Sequence, residues 1–325
     1  MFYFVFALAL LFEFVNGWTD APNSIATVVS TRVLRPMHAV VMAAGLNLLG
    51  AMLTGTAVAK VISEGIIDPD VVSLPTIAGA LLGASLWSIL AQRVGIPTSE
   101  SHGLVAGLIG AGVAVGGWGV IVSKGTSKVL FGLVTSPTLG FLGGVALMVL
   151  LYWLLFKVRY AIVRATFGRA QLLSAGFMAF SHGSNDGQKT MGVIALTLYL
   201  SGRQSDLTIH LWVILLAGVV MGIGTAVGGW RVVHTLGVKM TQLEPVQGFA
   251  AETAAAGVIL TASRLGIPIS TTHAISSAIM GVGATKRLSA VRWGVAGHIV
   301  AAWILTWPGC GLMAYALSKA FNAIA

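Results

Sequence analysis

The chain has 325 residues and a formal net charge of +9, with 56% hydrophobic and only 9% charged residues and a mean hydropathy of +0.90. A soluble domain carries about 25% charged residues, so the composition excludes a soluble enzyme or nucleic-acid-binding protein and implies a polytopic protein of the lipid bilayer. The positive balance then belongs to cytoplasmic loops, and the single Cys310 excludes a disulfide framework or a cysteine-based metal centre.

In chain order, Met1–Phe12 is apolar, lacks a basic leader and runs into Glu13. It reads as a first membrane helix rather than a cleaved signal peptide. Next comes Asn16-Gly17-Trp18-Thr19-Asp20-Ala21-Pro22-Asn23-Ser24, too polar for an unbroken lipid-facing helix. Arg32 and Arg35 mark a cytoplasmic loop, and Glu64, Asp68 and Asp70 mark an outer one. Residues 73–116 contain the break Gly95-Ile96-Pro97 and must return to the side they left, which predicts a re-entrant hairpin. The charge-free run Val129–Phe156 is long enough to span and ends at a basic junction, Lys157, Arg159, Arg164 and Arg169.

The second half repeats these moves from the inside. His182-Gly183-Ser184-Asn185-Asp186-Gly187-Gln188-Lys189-Thr190 matches the first polar motif, Asp206 marks an outer loop, and Leu207–Trp230 spans. Arg231 with Lys239, and then Lys286, Arg287 and Arg292, lie inside on either side of a second hairpin broken at Gly266-Ile267-Pro268. A last span through Thr306-Trp307-Pro308 leaves the C-terminus outside, like the N-terminus.

Four islands recur in the same order. Asn16–Asp20 matches His182–Asp186, Gly55-Thr56-Ala57-Val58 matches Gly224-Thr225-Ala226-Val227, Arg93–His102 matches Arg264–His273, and Thr135-Ser136-Pro137 matches Thr306-Trp307-Pro308. The expected architecture is an all-α polytopic membrane protein. It consists of two inverted-topology repeats, residues 1–160 and 161–325, with broken helices and re-entrant helical hairpins. That organisation is a transporter signature more than a channel or enzyme one.

The acids at membrane depth are Glu13, Asp20, Glu100, Asp186 and Glu252, and intramembrane acids usually face a functional cavity. The carboxylates of Asp20 and Asp186, with the amide oxygens around them, suit a hard cation such as sodium, or a proton. Ser99, Ser101, Ser270, Thr271 and Thr272 each follow a chain break and precede a helix, where free backbone N–H groups and hydroxyls favour an oxyanion. His102 and His273 lack the companions of a zinc site and read as satisfied, helix-packing histidines. Lys189 and Arg264 either attract anions or snorkel to an interface. The runs Gly107–Gly119 and Gly218–Gly229 read as close helix packing. No nucleotide loop is present.

These segments resemble the inorganic phosphate transporters of the PiT type, in their short prokaryotic form. The resemblance rests on Asn16–Thr27, Ser181–Gly192, Gly248-Phe249-Ala250-Ala251-Glu252 and both Gly-Ile-Pro…His segments. The family's Gly-x-Asn-Asp-x-x-Asn signature has Thr19 in place of its first Asn in one copy and Lys189 in place of its last in the other. The resemblance implies symport of phosphate, or sulfate in some members, with Na+ or H+ by alternating access, in a homodimer of the cytoplasmic membrane and without a further cofactor. By position it implies Asp20, Asn23, Asn185 and Asp186 for the cation and Ser99, Ser101, Ser270, Thr271 and Thr272 for phosphate. Thr19, Glu100, Gln188, Lys189 and Glu252 are expected to support them.

Overall fold

The computed structural model describes residues 1–324, and every named element is helical. In the first half these are α1 (Phe2–Ser30), α2 (Pro36–Leu53), α3 (Ala57–Glu64), α4 (Leu74–Val94), α5 (Glu100–Gly116) and α6 (Ser123–Leu155). In the second they are α7 (Tyr160–Leu200), α8 (Leu211–Val227), α9 (Trp230–His234), α10 (Pro245–Arg264), α11 (Thr271–Lys286) and α12 (Trp293–Ile324). Five of these are long and apolar enough to cross a membrane. Helix α8 and the Trp230–Lys239 segment, bent by 63° at Gly228-Gly229, make a sixth if the bent pair is counted as one span.

The repeated Gly-Ile-Pro segment has the same local cause in both copies. Gly95 ends α4 with φ +76°, and Gly266 follows α10 with φ +65°, a left-handed stop that glycine adopts without a Cβ clash. Ile96 N–H then bonds back to Ala91 O at 3.1 Å, and Ile267 N–H to Ala262 O at 2.9 Å. Proline prevents the helix from resuming, and a serine restarts it. Ser99 Oγ accepts from His102 N at 3.3 Å and Ser270 Oγ from His273 N at 3.1 Å, as N-caps do.

Each hairpin closes at its base. Asp68 N–H bonds to Val120 O at 2.9 Å and Val122 N–H to Ile66 O at 3.0 Å below α4–α5, and Arg292 N–H bonds to Met240 O at 3.0 Å below α10–α11. The first base lies level with the start of α1, because Ser73 Oγ–H bonds Asn322 at 2.9 Å and Phe321 packs edge-on to Phe4. The second base lies level with the end of α1, where Gly237 lies against Ala26 and Ser30. The hairpins therefore enter from opposite ends of α1 and meet in the middle, where Ser101 Oγ–H bonds Ile269 O at 2.7 Å.

The two halves interlock rather than sit side by side. Helix α12 packs on α4 and α5, while α6 packs on α10 and α11. At the α1–α8 crossing a Cβ on Gly17 would stand 2.3 Å from Met221 O, and at the α2–α7 crossing one on Gly183 would stand 2.0 Å from Asn47 O. Small residues permit this backbone approach inside a membrane.

The polar motifs around Asp20 and Asp186 lie within continuous helices rather than at breaks: α1 and α7 run through them, with Pro22 inside α1. They escape lipid by burial instead. On α1, Val5–Phe12 joins one apolar cluster and Ile25–Val28 another, with Glu13, Asn16, Thr19, Asp20, Asn23 and Ser24 buried between them. On α7 the stretch Ser181–Thr190 occupies the same position between the clusters. The interruptions among the spanning helices fall between α2 and α3 and between α8 and α9.

Candidate functional site

The buried polar layer lies where the motif helices meet the hairpin tips. Thr272 Oγ1–H bonds Asp20 Oδ1 at 3.1 Å, and Thr271 Oγ1–H bonds Asp186 Oδ2 at 3.0 Å. Both aspartates are thus held by adjacent hydroxyls on the first turn of α11. The Asn23 amide donates to Thr271 at 3.3 Å and to Thr272 at 3.0 Å. Lys189 donates to Asp186 Oδ1 and to Ser101 Oγ and is fully buried.

Asp20, His182 and Asp186 offer ligand atoms within 4.8 Å of one another. His182 was not among the site residues expected from the sequence, although it stands opposite Asn16 in the repeat. Its Nδ1 lies 3.1 Å from the side-chain amide oxygen of Asn47, Oδ1. Its other ring nitrogen, Nε2, sits 3.1 Å from Asp186 Oδ2. Among the described residues, the buried Asn16 Oδ1, Glu13 Oε1 and Asn185 Oδ1 have no hydrogen-bond partner. These are oxygen acceptors of the kind a hard cation uses.

The other expected residues divide by position. Ser99 and Ser270 cap their helices, and the amides of Glu100, Ser101, Thr271 and Thr272 start α5 and α11, where helices leave N–H groups free. Thr19 Oγ1–H bonds Glu100 Oε1 at 2.8 Å and Ser88 bonds the other oxygen, so Glu100 joins α1, α4 and α5. The Asn185 amide donates to Ser263 Oγ at 3.0 Å.

Gln188 turns away from the tips. Its Oε1 accepts from Val58 N at 2.8 Å, covering a free amide at the start of α3. Glu252 also stands apart, accepting from Thr27 Oγ1 at 2.5 Å, from Gln171 at 3.1 Å and from Ser174, and so ties α10 to α1 and α7. His102 and His273 face each other with ring centroids 4.8 Å apart, and His273 stacks on Trp303 at 3.8 Å. They pack helices as expected, and among the described residues none of their four ring nitrogens has a hydrogen-bond partner.

A basic cleft opens beside each tip. Arg264 lines one of about 360 Å³ with Lys60, Lys124 and Lys128, and Glu64 as the acid among them. Its repeat counterpart Arg93 lines another of about 480 Å³ with Arg231, His234 and Lys239. Arg264 is therefore an exposed cleft residue, whereas Lys189 is an internal one.

The sequence profile of the phosphate transporter family matches residues 16–314. The chain belongs to this family. A probable low-affinity inorganic phosphate transporter of Rhizobium meliloti (strain 1021) is 47% identical over 308 residues, covering 94% of this chain and 92% of the relative. One of Bacillus subtilis (strain 168) is 37% identical over 303 residues, covering 92% and 91%. A solved structure described as "The sodium-dependent phosphate transporter" superposes with TM-score 0.92 at 26% identity, covering 100% of this chain and 99% of its own. This phosphate transporter family member is a multi-pass membrane protein, and its family is one of transporters, not enzymes.

Proposed function

We propose that the chain is a secondary symporter that imports inorganic phosphate together with a coupling cation, Na+ or H+, by alternating access. The observation that carries this reading is that each motif aspartate accepts a hydroxyl from the tip of α11, Asp20 from Thr272 and Asp186 from Thr271. While the carboxylates hold those protons, the hydroxyls are poor donors to an anion. A cation at Asp20, assisted by Asn23, Asn185 and Asp186, neutralises the carboxylate and releases the hydroxyl. Thr271 and Thr272, with Ser101 and the free amides at the starts of α5 and α11, then become donors for phosphate. Ser99 and Ser270 hold those helix starts in place. The anion thus binds well only after its cation, which is the requirement of symport.

In this reading residues 1–160 and 161–325 are inverted repeats. The opposed hairpin bases support it, and the basic clefts at Arg93 and Arg264 form the inner and outer approaches. Both termini then face outward from a cytoplasmic membrane, the working unit is a homodimer, and no cofactor beyond the coupling ion takes part. The name of the solved neighbour makes sodium the first ion to test.

The experiment is uptake of labelled phosphate into proteoliposomes under sodium and proton gradients imposed separately, with unlabelled sulfate as competitor. Uptake driven by one gradient and resistant to sulfate is expected. No uptake under either gradient refutes symport, and stronger inhibition by sulfate than by phosphate assigns a different oxyanion.

A further inference from the structure

Three residues after each motif aspartate the halves diverge: Asn23 follows Asp20, and Lys189 follows Asp186. The two side chains make the same kind of link. Asn23 reaches the tip hydroxyls of Thr271 and Thr272, and Lys189 reaches the tip hydroxyl of Ser101. Only Lys189 brings a charge. Its ammonium is fully buried, and its hydrogen-bond partners are Ser101 and Asp186 Oδ1.

We propose that Lys189 is a tethered cation: its ammonium takes, at Asp186, the position that a free monovalent cation would otherwise fill. This rests on the reading of Asp20 and Asp186 as cation-site carboxylates. An ammonium matches sodium in charge, and it saturates Asp186 Oδ1 without the loss of translational freedom that a free ion incurs. Unlike a free ion it cannot leave with the cargo. Asp186 therefore stays neutralised on both sides of the membrane, and Asp20, whose hydrogen-bond partner is the Thr272 hydroxyl, is the carboxylate left for the transported ion. The second half couples one ion fewer than it would with asparagine at this position.

The test is Lys189→Asn in the full-length protein, with sodium as the probe. Apparent phosphate affinity is measured against sodium concentration for both proteins, and the slope of log affinity against log sodium counts the ions taken up with phosphate. The expected slope for the variant exceeds that of the wild type by about one, whichever ion the wild type uses. Thermal melting across the same sodium series gives a reading that needs no phosphate: Lys189→Asn gains more stabilisation from sodium than the wild type does. An unchanged slope in a variant that binds phosphate overturns the proposal, and so does a variant that sodium neither stabilises nor restores. If the wild type binds no phosphate, the transport reading fails, and the melting comparison still decides the tether.

Discussion

Asp186→Asn and Asp20→Asn are the same chemical change at equivalent points of the repeat, yet the structure gives them very different consequences for stability. At Asp186 the substitution removes the counter-charge of a fully buried ammonium. Breaking a buried pair by removing one partner costs about 3–5 kcal/mol, a large share of the roughly 5–15 kcal/mol that holds a protein folded. At Asp20 the lost charge has no basic hydrogen-bond partner, and an asparagine oxygen can still accept from Thr272, now 3.1 Å away. The change there should stay within about 1 kcal/mol. The decisive comparison adds Asp186→Asn/Lys189→Met, which removes both charges together and replaces the amine with an apolar side chain of similar length. Unfolding of the purified protein in mixed micelles by increasing SDS should rank wild type and Asp20→Asn together. The double variant should fall between them and Asp186→Asn, with a coupling energy of several kcal/mol across the cycle. If Asp186→Asn unfolds with Asp20→Asn, or if Lys189→Met fails to recover stability, the ammonium is not held by that carboxylate.

Asp20→Asn should abolish cation-driven phosphate uptake in proteoliposomes while leaving the melting curve nearly unchanged; normal uptake would make Asp20 structural. Gly183→Ala should destabilise by about 1–3 kcal/mol or more, because its Cβ would stand 2.0 Å from a backbone oxygen of α2. Gly168→Ala on the same helix meets nothing within 4 Å and should be neutral or stabilising by about 0.5–1 kcal/mol, as read by thermal melts. In the loop between α7 and α8, the Thr208 amide and then the Gln204 side chain hold the exposed Asp206 carboxyl below its ordinary range. A depressed carboxylate stabilises the loop above its unfolded pKa and loses that contribution as pH falls through the folded one. Hydrogen exchange at the Thr208 amide, corrected for intrinsic rate, should therefore accelerate on acidification below the ordinary carboxylate range, and Asp206→Asn should remove the dependence.

The hairpins were legible in the sequence because each of their steps is local. A left-handed glycine, a proline that blocks the helix and a serine that caps the next one all lie within a few residues. The continuity of α1 and α7 was not legible, because the groups that satisfy their polar stretches come from distant parts of the chain. Thr190 bonds Glu13, Glu100 takes the Thr19 hydroxyl, and Thr271 and Thr272 serve the two aspartates. A polar run looks like a break until those partners are known. The same distance hid His182, whose partner Asn47 lies on α2, and it separated Gln188 and Glu252 from the tips although both are polar, buried and close in sequence to family motifs.

The asymmetry between the tips follows from a single replacement in the repeated segment. Thr271 stands where the first copy has Glu100. A carboxylate there would face two aspartates, so Glu100 instead turns to Ser88 and Thr19, leaving Ser101 as the hydroxyl of its tip that faces the centre. Ser101 donates to the Ile269 carbonyl and accepts from Lys189, whereas Thr271 and Thr272 donate to carboxylates. One tip is therefore tied to a positive group and the other to negative ones. On the proposed mechanism only the Thr272 hydroxyl of the second tip must wait for a cation before it can turn to phosphate, while the first tip is set by the Lys189 ammonium throughout. Ion dependence then resides at Thr272, which Asp20 holds, because the Asp186 that holds Thr271 already carries the Lys189 ammonium. A change at Thr272 should therefore alter how phosphate affinity responds to the coupling ion, whereas a change at Ser101 should lower affinity equally at every ion concentration.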